Sequence, residues 1–124
     1  MHPDQTARAQ AEALYYTALD AIAAGNPGSA VAACEAALAV DPSFLDAMHA
    51  LIRALQDAGE LDRGIAVAHQ LAALDPDDVL AYTSLSILYQ RKGLVPEAEA
   101  AALKAKLLGW KQQLQAAKAP QGWP

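Results

Sequence analysis

The chain holds a single cysteine, Cys34, so no intramolecular disulfide framework can support the fold and the core must rest on packing. Aromatic residues make up only 6% although hydrophobic residues reach 54%, because alanine supplies much of the apolar count. Valine, isoleucine and threonine never gather into an alternating run, which argues against strands. No uninterrupted apolar stretch is long enough to span a bilayer, so membrane insertion is not expected. The opening Met1-His2-Pro3-Asp4-Gln5 has no basic segment leading into an apolar one, and a cytoplasmic location is expected from that. Basic residues are also few, nine against 14 acids, for a net charge of −5 and a pI of about 4.9. With no evident clustering of lysine and arginine, the chain is a poor match to a phosphate backbone, so no nucleic-acid partner is expected.

Catalytic groupings are missing as well. The three histidines, His2, His49 and His69, have no ligand spacing, and no His-x-x-x-His or Cys-x-x-Cys pair occurs. Cys34 sits in Ala33-Cys34-Glu35 without a neighbouring His or Arg to lower its pKa, and is expected to pack as a small hydrophobe. Asp75-Pro76-Asp77-Asp78 lacks the glycine and closing glutamate of a calcium loop, and Glu97 with Glu99 suits a helix start, where acids favour the positive end of the dipole. Gly-rich phosphate loops are absent. An enzyme is therefore not expected, and neither a catalytic residue, a metal nor a cofactor is assigned.

What the sequence does hold is a repeat. Gly25, Gly59 and Gly93 stand 34 residues apart, and so do Asp41-Pro42 and Asp75-Pro76. The period divides the chain into units 11–44, 45–78 and 79–106, with an extension at 1–10, a closing helix at 107–119 and a tail at 120–124. Each unit has the pattern of helix, turn, helix. Leu45, Met48, Leu51, Ile52 and Leu55 recur at helical spacing, and Gly59 can take the positive φ at which a helix ends. Leu61, Ile65, Ala68, Leu71, Ala72 and Leu74 make the next apolar face, which Pro76 stops. In the first unit Asn26 can cap and Pro27 suits a first helical turn.

Set in register, these units resemble the tetratricopeptide-repeat family. Its large slot holds Leu14, Met48 and Tyr82; its Leu slot Thr17, Leu51 and Leu85; its Tyr slot Ala21, Leu55 and Tyr89. On the second helix the small slots hold Ala30, Gly64 and Ala98, then Ala37, Leu71 and Ala105, and the bulky slot holds Cys34, Ala68 and Ala102. Ile52 fills a position the family keeps small, which suggests a splayed helix pair. Trp110 stands where a proline would end the third unit, which implies a further helix, Leu107 to about Ala119, with Trp110, Leu114 and Ala117 on the face that would cover the end of the stack. The resemblance implies an all-α fold, a right-handed superhelical stack of antiparallel helix pairs with about seven helices.

The same resemblance implies a concave groove lined by the first helix of each pair. Its positions are Glu12, Tyr15, Leu19 and Ile22, then Asp46, His49, Arg53, Gln56 and Asp57, then Leu80, Thr83, Ile87, Gln90 and Arg91. Tyr15, Leu19 and Ile22 form a second apolar stripe beside Leu14, Ala18 and Ala21, and Leu80 with Ile87 does so beside Tyr82, Leu85 and Tyr89. Such a stripe points to a contact, either with a partner or with residues 1–9. The expected partner is a protein or peptide with apolar anchors and an acidic group for the arginines. The carboxylate clamp of chaperone-adaptor members is not matched: its slots hold Tyr15, Leu19, Ala50, Leu80 and Ser84. An adaptor is the first expectation; a self-associating scaffold or a regulatory subunit of a larger assembly is the alternative.

Overall fold

The computed structural model describes residues 3–118, and among them six helices: α1 (Pro3–Ala23), α2 (Pro27–Val40), α3 (Leu45–Asp57), α4 (Leu61–Leu74), α5 (Val79–Arg91) and α6 (Val95–Lys118). Consecutive helices pack on one another, and the short turns between them make neighbours run antiparallel. Trp123, His2 and the tail at 120–124 lie outside the described residues.

The glycine period has a direct backbone meaning. Gly25, Gly59 and Gly93 have φ of 74°, 77° and 79°, the left-handed region that a side chain strains. Each sits in the same pair of bonds. Asn26, Glu60 and Leu94 donate to the carbonyls of Ala21, Leu55 and Tyr89, each at 2.9 Å, while the glycine N–H bonds three residues back. The Asp-Pro turns repeat too, with Phe44 N–H on the Asp41 carbonyl and Asp78 N–H on the Asp75 carbonyl, both 3.1 Å. Asn26 caps α2 by accepting from Ser29 N–H, and Pro27 opens the helix.

Two expectations about the ends are revised. Among the described residues there are six helices, because α6 runs unbroken for 24 residues through the place where a separate closing helix would begin. Gly109 alone does not break it, since one glycine costs a helix only about 1 kcal/mol. At the other end α1 starts at Pro3, so residues 3–10 belong to the first helix rather than to an extension. No glycine or proline interrupts residues 5–24.

The core is a chain of small clusters along the stack. Ala18, Cys34, Leu51 and Leu55 anchor the first; Met48, Ile52, Leu71, Leu85 and Leu88 the second; Ala11, Ala37, Phe44 and Ala47 a third at the outer end of the first turn. Ile52, in the slot the family keeps small, is buried in the second cluster. Gly64 eases the close approach of α4 and α5: a Cβ there would lie 3.2 Å from a methyl of Leu88, which would have to give by a few tenths of an ångström.

Candidate partner-binding face

Helices α1, α3 and α5 form one layer: α1 meets α3 and α3 meets α5, whereas α2 and α4 touch only their sequence neighbours. Helical periodicity then sets which side chains leave this layer. In α3, Ala47, Met48, Leu51, Ile52 and Leu55 are buried, which turns Asp46, His49, Arg53, Gln56 and Asp57 to the opposite side. In α5, Ala81, Leu85 and Leu88 are buried and Leu80, Thr83, Ile87 and Arg91 are exposed.

The apolar stripe of α1 divides in the structure. Tyr15 is half-buried, with its ring 5.2 Å from that of Phe44, and burial followed by the nearby Asp46 charge raises its phenol pKa. Ile22 packs against the first core cluster. Leu19 is exposed, as are Leu80 and Ile87 on α5. Three of the expected apolar groove residues thus face solvent, and two, Tyr15 and Ile22, serve the core.

Several of the layer's polar members are engaged within the chain. Arg53 gives its Nε–H to both oxygens of Asp57 at 3.2 Å. Arg91 donates from Nη1 to the Gln56 carbonyl at 2.9 Å, which joins the ends of α3 and α5. His49 Nε2 lies 2.7 Å from Asp78 Oδ2, and Thr83 Oγ1 donates to the Val79 carbonyl at 3.1 Å. Among the described residues the terminal nitrogens of Arg53 meet no acceptor, so this arginine keeps the fork that recognises a carboxylate.

Periodicity alone did not identify a second group of residues. Arg8, Asp41 and Phe44 come together where α1 crosses the first Asp-Pro turn. Arg8 Nη1 donates to Asp41 Oδ2 at 2.6 Å, its Nε–H reaches Glu12 at 3.2 Å, and its guanidinium lies 4.2 Å over the Phe44 ring. The Arg8 bond, aided by Ser43, holds the Asp41 carboxyl below its ordinary range. The Arg8/Glu12 spacing of four was a usable signal for a helix reaching back before residue 11. Phe44, preceding a helix, belongs to no periodic face.

Cys34 is fully buried, and desolvation, then the charge of Glu35, pushes its thiol up to about 11. A thiol held neutral in this way is a packing group, not a nucleophile. Among the described residues no group of three or more His, Cys, Asp or Glu could hold a metal ion, and no helix is long and apolar enough to cross a membrane.

Comparison with known proteins agrees with this architecture. No curated protein matches the chain. Two solved structures, both crystal structures of MamA, superpose with TM-scores of 0.80 and 0.79 at 26% and 25% identity. They cover 86% and 94% of this chain, which in turn spans 62% of the length of each. The sequence model of the tetratricopeptide repeat matches residues 21–88, more than half of the chain and the stretch that contains two of the three glycine turns. By that match, and by helix pairs that recur at its period, the chain belongs to the tetratricopeptide-repeat family.

Proposed function

We propose that the chain is a non-catalytic adaptor that captures a peptide or helical segment of another protein along the face carried by α1, α3 and α5. The family supports a protein-interaction or scaffold role. The observation that carries the finer reading is the exposure of Leu19, Leu80 and Ile87 in a layer whose other large apolar side chains are buried or half-buried, apart from Tyr16. Covering each is worth about 1.5–3 kcal/mol. Three such anchors only about match the roughly 4–15 kcal/mol cost of association, so a stable complex needs polar contacts too. Arg53 offers one to a carboxylate, and Arg91, His49, Gln56 and Thr83 on α3 and α5, with Tyr15 and Ile22 beside Leu19 on α1, complete the proposed face. A cytoplasmic site is part of this reading, as is the absence of a cofactor.

Pull-down from source lysate with wild type and with Arg53→Glu/Ile87→Glu tests it. Both positions are exposed, so the double variant should keep its helical circular dichroism and lose the partner. A folded variant that retains every protein held by wild type overturns the groove. If the only protein recovered is the chain itself, with a mass that rises with concentration, the self-associating scaffold replaces the adaptor.

A further inference from the structure

Helix α6 has two dissimilar sides. Ala98, Ala101 and Leu108 are buried on one, and Gln112 there donates to the Asp77 carbonyl at 2.6 Å. On the other, Leu103, Leu107, Trp110 and Leu114 are 48–61% exposed. They follow spacings of four, three and four, the pattern of a seam that faces another helix. Trp110, Gln113, Leu114 and Ala117 line a shallow depression along it. This is the face expected to close the stack, yet it points away from the stack.

Charge singles out the same stretch. From residue 100 to the end of the chain there are four lysines, Lys104, Lys106, Lys111 and Lys118, and no Asp or Glu, while all 14 acids lie earlier. The whole-chain balance conceals this local excess. Lys104, Lys106 and Lys111 each adjoin a stripe residue in sequence and so flank the seam. Lys106 lies 5.2 Å over the Trp110 ring and Lys104 lies 5.9 Å over Tyr82, neither with a carboxylate among the described residues, and Lys111 reaches Asp77 only at 3.4 Å.

We propose that the outer face of α6 docks an acidic amphipathic helix of a partner protein. Apolar side chains of that helix would fill the seam from Leu103 to Leu114, and its flanking carboxylates would meet the lysines. Charge complementarity selects this occupant. Pairing of α6 with α6 from a second copy would set lysine rows against each other, which flanking seam positions disfavour. A bilayer surface calls for a broad apolar face, and this one is a single row.

The test uses a designed helical peptide with Leu at its seam positions and Glu beside them, and a control with Lys in place of Glu. Binding is read by Trp110 emission in a Trp123→Phe background. The Glu peptide is expected to bind at least tenfold more tightly than the Lys peptide. Leu107→Ser/Leu114→Ser should weaken it at least tenfold, Lys104→Glu/Lys106→Glu should reverse the preference, and Arg53→Glu/Ile87→Glu should leave it unchanged, since the groove is a separate face. Should the serine variant not fold, the charge-reversed one decides. Equal affinity for both peptides overturns the proposal. So does self-association that the serine variant abolishes and the Glu peptide does not displace, or seam-dependent binding to phosphatidylglycerol vesicles without binding of the Glu peptide.

Discussion

The two Asp-Pro turns share a backbone and differ in how they are fastened. At Asp41–Phe44 the last residue is an aromatic ring, buried against Tyr15 and covered by Arg8. At Asp75–Asp78 the same place holds a carboxylate, which caps α5 through the Leu80 and Ala81 N–H groups and binds His49. The repeat therefore prescribes the path of the chain, while the neighbours of each turn prescribe its attachment. Where a preceding helix reaches the turn, as α1 does, an apolar plug can be covered. Where the adjoining helix presents an imidazole, a capping acid serves two roles.

Substitutions can break this contrast. Phe44→Ala should cost the most, about 3–5 kcal/mol in urea unfolding, because it empties a buried site among Ala11, Ala37 and Ala47, too small to refill it. Asp78→Ala should cost about 1–2 kcal/mol, from a lost helix cap with a half-buried imidazole left without its carboxylate. A smaller cost for Phe44→Ala than for Asp78→Ala would show that the ring is not what holds the first turn.

A pH series sharpens the contrast further. The folded pKa of Asp41 is depressed by Arg8, so its contribution is present above the unfolded value and lost as pH falls through the folded one. Asp41→Asn should lower the urea midpoint at pH 7 and leave little difference from wild type once both are measured below that folded value. Removing the outermost fastening of the second turn should matter least. Lys111→Ala is expected to change stability by no more than about 0.5 kcal/mol, because its ion pair with Asp77 is solvent-exposed.

Much of the fold was legible because its determinants are local. Gly25, Gly59, Gly93 and the Asp-Pro pairs reveal the turns, since positive φ and a missing N–H act on the residue that carries them. The buried face of α3 followed from helical spacing; that of α5 did so only at Leu85, since Ala81 and Leu88 are buried while the expected Tyr82 and Tyr89 are half-buried. Partners across turns did not, because periodicity gives the rotation of a side chain about its own helix and not what meets it. Hence Tyr15 was expected in the groove and packs on Phe44, and His49 is half-occupied by an acid 29 residues away. The extent of α6 escaped for a related reason: Trp110 in place of proline suggested a new element, but without a breaker the old helix simply continues. Of the candidate face, the three exposed apolar side chains and Arg53 were visible in advance, and the internal pairing of its charges was not.

The neighbour-only packing of the helices has a kinetic consequence. Among the described helices, contacts join elements one or two apart in the chain, and α1 never meets α6. Low contact order of this kind favours rapid folding, and a one-dimensional stack loses structure from its ends. Amide exchange should then be slowest around Leu51 and Leu55 and fastest beyond Leu108, where α6 has almost no packed neighbour to protect it.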